Sequence, residues 1–262
     1  MNLRIEKILN SKIILDKSRN KVLKNDLIDR KYGIPSLPIF EDVEVKEVIP
    51  TEPVVIPRLR NDKLIALTFD DGPTSYTKEL LEVLNRNRSR ATFFILGNKI
   101  RGNESIIKEI SACGNEIGIH GYSHKPFTDM HVEDVDAEIA GTYGILNNLG
   151  VNPANIVRPP YGKLNETIKE QVKSPFVLWN IDTEDVNNNK EMVKNKIINN
   201  VEPGSIIRMH DTSKLTVEVL KDLIPFLESE GYKFVTIDEM NKQYSNELVP
   251  GRVYAKIKDF AA

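Results

Sequence analysis

Leu64-Ile65-Ala66-Leu67-Thr68-Phe69-Asp70-Asp71-Gly72-Pro73 decides the reading of the chain. It is an apolar β-type run that stops at two adjacent carboxylates and a turn. Similar runs follow at 92–96, 116–120, 156–158, 176–182, 205–210 and 233–237. Helical patterns lie between them. Val135, Ile139, Leu146 and Leu149 recur at helical spacing, as do Leu220, Leu223, Ile224 and Leu227, and Pro225 is expected to start or kink a helical segment. Strands alternating with helices build βα units and a parallel sheet. Seven such units suit a barrel one unit short of eight, or an open doubly wound sheet. Periodicity does not choose between them.

The 262 residues suffice for one large α/β domain with an extension. Residues 1–60 read differently from the rest. Five of the fourteen prolines (Pro35, Pro38, Pro50, Pro53 and Pro57) fall there, and only Gly33 of the fourteen glycines precedes Gly72. Proline fixes φ and removes a donor, so residues 34–60 are expected to run extended. Ahead of them, Ile13-Ile14-Leu15 and Val22-Leu23 are expected as short strands. The expected layout is an N-terminal extension or small β module with a Pro-rich linker over 1–60, a barrel over 61–243, and a tail over 244–262 packing on it. Residues 1–33 carry nine Lys/Arg and four Asp/Glu without an apolar core, and so do not read as a secretory signal. No apolar run is long enough for a membrane span. A net charge of −2 gives no broad electrostatic footprint for nucleic acid. The single cysteine, Cys113, excludes an internal disulfide and reads as a small buried side chain on the face of Ile106, Ile107 and Ile110.

The reactive residue types gather at the C-terminal ends of the strands, where sites form in parallel α/β folds. Asp70 and Asp71 end the first run. His120 ends the third, with His124 four residues on. Arg158, Asp182 and His210 end the fourth, fifth and sixth. Three of only four histidines therefore fall at strand ends; His131, in a polar helix start, reads as exposed. Asp71, His120 and His124 offer a carboxylate and two imidazoles, a donor set that leaves a position open for water on a catalytic divalent ion. Two adjacent carboxylates repel unless a cation lies between them, so one ligating and one acting as base is the economical arrangement.

These residues resemble the polysaccharide deacetylases with a NodB-homology domain, carbohydrate esterase family four. Thr68-Phe69-Asp70-Asp71-Gly72-Pro73 is similar to the first family motif and His120-Gly121-Tyr122-Ser123-His124 to the second. Arg158-Pro159-Pro160-Tyr161-Gly162 resembles the third, Asp182-Thr183-Glu184-Asp185 the fourth, and Met209-His210-Asp211 the fifth. All five stand in order within residues 63–240. The resemblance implies a distorted (β/α)7 barrel, TIM-like. It implies one zinc or other divalent transition metal per chain, held by Asp71, His120 and His124. Asp70 would be the general base paired with Arg158. His210 would be the general acid oriented by Asp182, and the Tyr161 backbone N–H would stabilise the oxyanion. The implied substrate is an acetylated polysaccharide such as cell-wall peptidoglycan or a chitin-like glycan, at the cell surface or outside it. A cyclic-amide hydrolase of the same superfamily would be expected to show a degraded metal triad; a carbohydrate-binding homologue without turnover is the rival of another class.

Two positions depart from the family pattern. Arg208 stands where Leu is usual, and Val186 where Trp is usual, both at the wall of the family's acetyl pocket. Residues two apart on a strand leave the same face, so Arg208 is expected beside His210. A buried guanidinium must be paired. Glu184 and Asp185 are the expected partners.

Overall fold

The computed structural model describes residues 63–244 and 247–257. The expected extension over 1–60, with its expected strands and linker, lies outside them. The central strand is β1 (Lys63–Asp70). Next come α1 (Ser75–Arg86), β2 (Ala91–Ile95), α2 (Glu104–Ala112), β3 (Glu116–Ile119) and α3 (Val132–Asn148). They are followed by α4 (Glu166–Gln171), β4 (Phe176–Val177), β5 (Ile181–Asp182), α5 (Lys190–Ile198) and β6 (Ile206–His210). The chain continues through α6 (Lys214–Ser229), β7 (Tyr232–Phe234), α7 (Ile237–Gln243) and β8 (Val253–Tyr254). The named strands pair in parallel, in the order β3-β2-β1-β6-β5, and β7 joins the start of β1. The parallel strands and their helices fit the alternation, and they agree with the distorted (β/α)7 barrel that the resemblance implies.

Two expected strands are reduced, each for a visible reason. Residues 156–158 contribute only single bridges, from Val157 to Ile119 and to Phe176. Pro159 and Pro160 follow at once and have no N–H to extend a ladder. The run 176–182 breaks into β4 and β5. At the break, the Asn180 side chain replaces the backbone: its Oδ1 accepts the Ile206 N–H at 2.8 Å and its Nδ2 donates to Ser205 Oγ at 3.1 Å. The last run, expected to reach 237, ends at Phe234, and α7 begins at Ile237 behind a capping box from Thr236 and Glu239. Helix α6 runs through Pro225 rather than starting there. Cys113 is half-buried, at the end of α2, with Asn85 Nδ2 3.2 Å from its sulfur.

Side-chain alternation divides the core in two. Ile65, Leu67 and Phe69 of β1 join Phe93, Ile207 and Met209 in the layer under the helices. Leu64 and Ala66 join Phe94, Val177 and Ile206 in the interior cluster. Thr68 and Asp70 continue the interior face of β1, as Arg208 and His210 continue that of β6. In register, Thr68 lies opposite Arg208 and Asp70 opposite His210. Beyond α7, β8 pairs with β4, Lys256 bridges to Ser205, and Ile257 is buried.

Candidate active site

Asp71 follows the last residue of β1 in a left-handed conformation, φ 71°. His124, Tyr161 and Glu184 are left-handed too, at 65°, 59° and 51°. Such backbone costs an ordinary residue roughly 1–3 kcal/mol, and it clusters where function fixes geometry. Four of the five non-glycine residues with positive φ among those described lie around this mouth; the other is Arg88.

One oxygen of Asp71, Oδ1, lies 3.1 Å from His124 Nε2 and 3.4 Å from His120 Nε2. The three ligand atoms fall within 4.8 Å of one another. His120 Nδ1 lies 2.6 Å from the Arg158 carbonyl oxygen. A carbonyl only accepts, so Nδ1 bears the proton and Nε2 presents a lone pair toward Asp71. Asp71 Oδ1 is itself buried without a hydrogen-bond donor. Lone pairs converging on an oxygen that lacks a donor suit a cation, and a donor set of two nitrogens and a carboxylate suits zinc or a similar divalent ion.

The loop that carries His124 is pinned from α3. Glu138 Oε2 accepts the Tyr122 and Ser123 N–H groups at 2.7 Å each, and Oε1 accepts Ser123 Oγ–H at 2.7 Å. Thr142 Oγ1 donates to the Gly121 carbonyl at 3.0 Å. The His124 and Tyr161 rings lie 4.6 Å apart. Tyr161 sits in a turn that the Gly162 and Lys163 N–H groups close onto Pro159 and Pro160.

Asp70 is buried on the barrel side of Asp71. Its Oδ1 accepts Arg158 Nη1 at 2.8 Å. Arg158 is fully buried and uses four of its five N–H donors: Nη1 also donates to Thr68 Oγ1, Nε to the Val177 carbonyl and Nη2 to the Leu178 carbonyl. Its guanidinium lies 4.0 Å from the Phe94 ring centroid. A buried pair of this kind costs about 3–5 kcal/mol if one partner alone is removed.

His210 is held by Asp185, not by Asp182. Asp185 Oδ1 lies 2.7 Å from His210 Nδ1, and Oδ2 accepts the His210 backbone N–H at 2.9 Å and Thr216 Oγ1–H at 2.7 Å. The left-handed turn at Glu184 swings the chain after β5 so that Asp185 faces β6. Burial disfavours the imidazolium, yet the Asp185 carboxylate outweighs it and raises the His210 pKa above the ordinary value. Asp185 moves the opposite way: burial pushes it up, and the hydrogen bond to His210 brings it below the usual range.

Asp182 instead lies 3.6 Å from Arg208, through Oδ2 and Nη1. Arg208 shares the face of His210, as its spacing requires, but its neighbours are Asp182 and Asp70 rather than Glu184 and Asp185. Glu184 pairs with Lys196 at the surface, and Val186 is exposed. Sequence reasoning missed Glu138, Thr216 and Trp179. The last is the single tryptophan of the chain, and the Arg208 guanidinium lies 4.2 Å from its ring centroid.

The barrel frame, with Asp70 and His210 in register beside the Asp71, His120 and His124 cluster, points to a class of hydrolase. Residues 58–175 match the family profile "Polysaccharide deacetylase". Two relatives above 30% identity match over more than nine-tenths of their own length, and the chain belongs to this family, carbohydrate esterase family four. A peptidoglycan-N-acetylglucosamine deacetylase of Bacillus cereus is 32% identical, over 74% of this chain and 96% of that protein. The structure of peptidoglycan deacetylase PdaC from Bacillus subtilis superposes with a TM-score of 0.68 at 32% identity, covering 71% of this chain and 93% of that one. Peptidoglycan-N-acetylglucosamine deacetylase PgdA of Listeria monocytogenes is 34% identical over 94% of this chain, so that similarity extends well into residues 1–60. The chain spans 52% of that protein's length. Among the described residues no helix is long and apolar enough to cross a membrane.

Proposed function

We propose that the chain is a metal-dependent hydrolase that removes N-acetyl groups from a cell-wall glycan at the cell surface. The observation that carries this reading is the placement of Asp70 and His210 as register partners on β1 and β6, beside the triad of Asp71, His120 and His124. The relatives named above, two peptidoglycan-N-acetylglucosamine deacetylases and a peptidoglycan deacetylase, support the substrate class.

A divalent ion in the triad would bring the pKa of a water down to about 7 and polarise an acyl oxygen. The remaining chemistry belongs to the chain. Asp70 takes a proton from the attacking water. Its Oδ1 is occupied by Arg158, so Oδ2 is the oxygen that receives the proton. The Tyr161 N–H faces the oxygen on which charge grows, at a turn whose left-handed backbone fixes its direction. The leaving amine must be protonated. His210, its Nδ1 bound to Asp185, delivers that proton from Nε2. Arg158 and Asp185 make opposite demands on the two partners and set base and acid apart.

The test is acetate release from N-acetylated chito-oligosaccharides and peptidoglycan, with metal analysis of the same protein. One zinc-like ion per chain is expected, with activity lost on chelation and restored by zinc. His120→Ala should lose both metal and activity. Full metal stoichiometry in that variant overturns the triad. A metal-loaded protein that releases no acetate overturns the enzymatic reading in favour of carbohydrate binding.

A further inference from the structure

The two interior arginines are treated very differently. Arg158 spends its donors on Asp70, Thr68 and two carbonyls. Arg208, directly above Ile206 on the barrel side of β6, spends almost none. Its Nε is buried and has no hydrogen-bond partner. Its nearest carboxylates, on Asp70 and Asp182, stand at 3.9 and 3.6 Å, ion-pair distances rather than hydrogen bonds. Its Nη2 lies 3.5 Å from His210 Nε2. Trp179 covers one face of the guanidinium and holds its plane. The side chain is only 18% exposed, so water reaches it at the mouth alone.

A guanidinium held flat, with unused donors, beside the nitrogen from which the acid delivers its proton is a receptor for a planar anion. The planar fork of guanidinium donors matches the two oxygens of one carboxylate, and Nη2 brings that seat to within 3.5 Å of His210 Nε2. A neutral acetamido sugar offers a guanidinium only neutral acceptors, which make weaker hydrogen bonds with it than a carboxylate does. We propose that Arg208 is a specificity-determining residue that binds a carboxylate beside His210, whose Nε2 stays with the leaving amine, and that the preferred substrate is an acetamido glycan bearing a carboxylate on or next to the reacting sugar. This rests on the deacetylase reading above. Asp182 and Asp70 offset part of the guanidinium charge, so the gain expected is that of one charge-assisted contact, about tenfold.

The experiment compares zinc-loaded wild type, Arg208→Leu and Arg208→Lys on two substrates. One is a glycan of N-acetylated sugars with free carboxylates; the other is a neutral chito-oligosaccharide. Wild type should show the higher kcat/KM on the acidic glycan. Arg208→Leu should narrow that preference about tenfold, whatever it costs on both substrates through the neighbouring Asp70 and His210, and Arg208→Lys should recover part of the preference. Equal losses on both substrates, or no loss on either, overturn the proposal. Trp179, as the sole tryptophan, reports binding without turnover. Sodium acetate should change its fluorescence saturably in wild type and not in Arg208→Leu, against sodium chloride of equal ionic strength. Acetate binding that depends on Arg208, with no discrimination between glycans, assigns the contact to the product ion and overturns the claim about substrate. No acetate release from either glycan by wild type overturns the deacetylase reading, and the fluorescence titration then still decides whether Arg208 binds a carboxylate.

Discussion

At the scale of single residues, the pairing of His210 with Asp185 separates two nearby acids that the sequence offers alike. Asp185→Asn should cut kcat about a hundredfold, since the acid loses the partner that orients and charges it. The sign of the pH effect follows from the raised His210 pKa. Removing Asp185 lowers that pKa, so the alkaline limb of the kcat/KM profile moves to lower pH. Asp182→Asn should leave that limb in place, because Asp182 faces Arg208. A pH-rate profile of each variant checks both outcomes; an alkaline limb that moved with Asp182 and not with Asp185 would reverse the assignment. The metal-type donors and the Asp70–His210 pair were legible in the sequence because they are scarce residue types at strand ends. The choice between Asp182 and Asp185 was not. It depends on the left-handed turn at Glu184, and a residue with no glycine or asparagine signature gives no warning of such a turn.

At the scale of elements, a loop and a helix share one carboxylate. Glu138 accepts three hydrogen bonds from residues 122–123, between the two histidines of the loop. Glu138→Ala should weaken zinc affinity about 10- to 100-fold, the usual cost of losing an outer-shell anchor, while the circular dichroism of the fold stays unchanged. Equilibrium dialysis against zinc measures it. Nothing in the spacing of α3 distinguished Glu138 from the solvent-facing acids of the same helix, because periodicity identifies a helix face and not what the neighbouring loop brings to it. The strands were legible where they are long. Run 176–182 was read as one strand, since the sequence shows its apolar character but not that Asn180 replaces a backbone acceptor at its middle.

At the scale of the whole molecule, the end of the barrel opposite the site holds a titrating group. The Glu116 carboxylate accepts Thr92 Oγ1–H and the Ile237 and Asp238 N–H groups at the start of α7. Burial pushes its pKa up to about 7. A folded pKa above the unfolded value means that the folded state binds more protons between the two. Stability is therefore full below about pH 4.5 and falls as pH rises through about 7, by roughly 1–3 kcal/mol from this group. Glu116→Gln should flatten that part of the slope, measured by urea unfolding of the wild type and the variant across pH 4–8. Equal slopes in both proteins would show that the carboxyl titrates normally. The parallel α/β class and the site edge were legible from alternation alone, because β1, β3, β5 and β6 end at or beside residues of the same mouth.

One strand has a consequence for how the molecule opens. From Leu67 to Asp70, β1 is paired on both sides, by β2 and by β6, and its side chains are buried. Amides in such a strand exchange with solvent only when the protein unfolds globally, whereas loops open in smaller, cheaper fluctuations. Asp70 sits in that slow-exchanging segment, with Asp71 directly after it. Tyr161 and His124 sit on loops. The carboxylate proposed as proton acceptor thus sits in the slowest-opening part of the domain, while Tyr161 and His124 depend on loop hydrogen bonds for their placement.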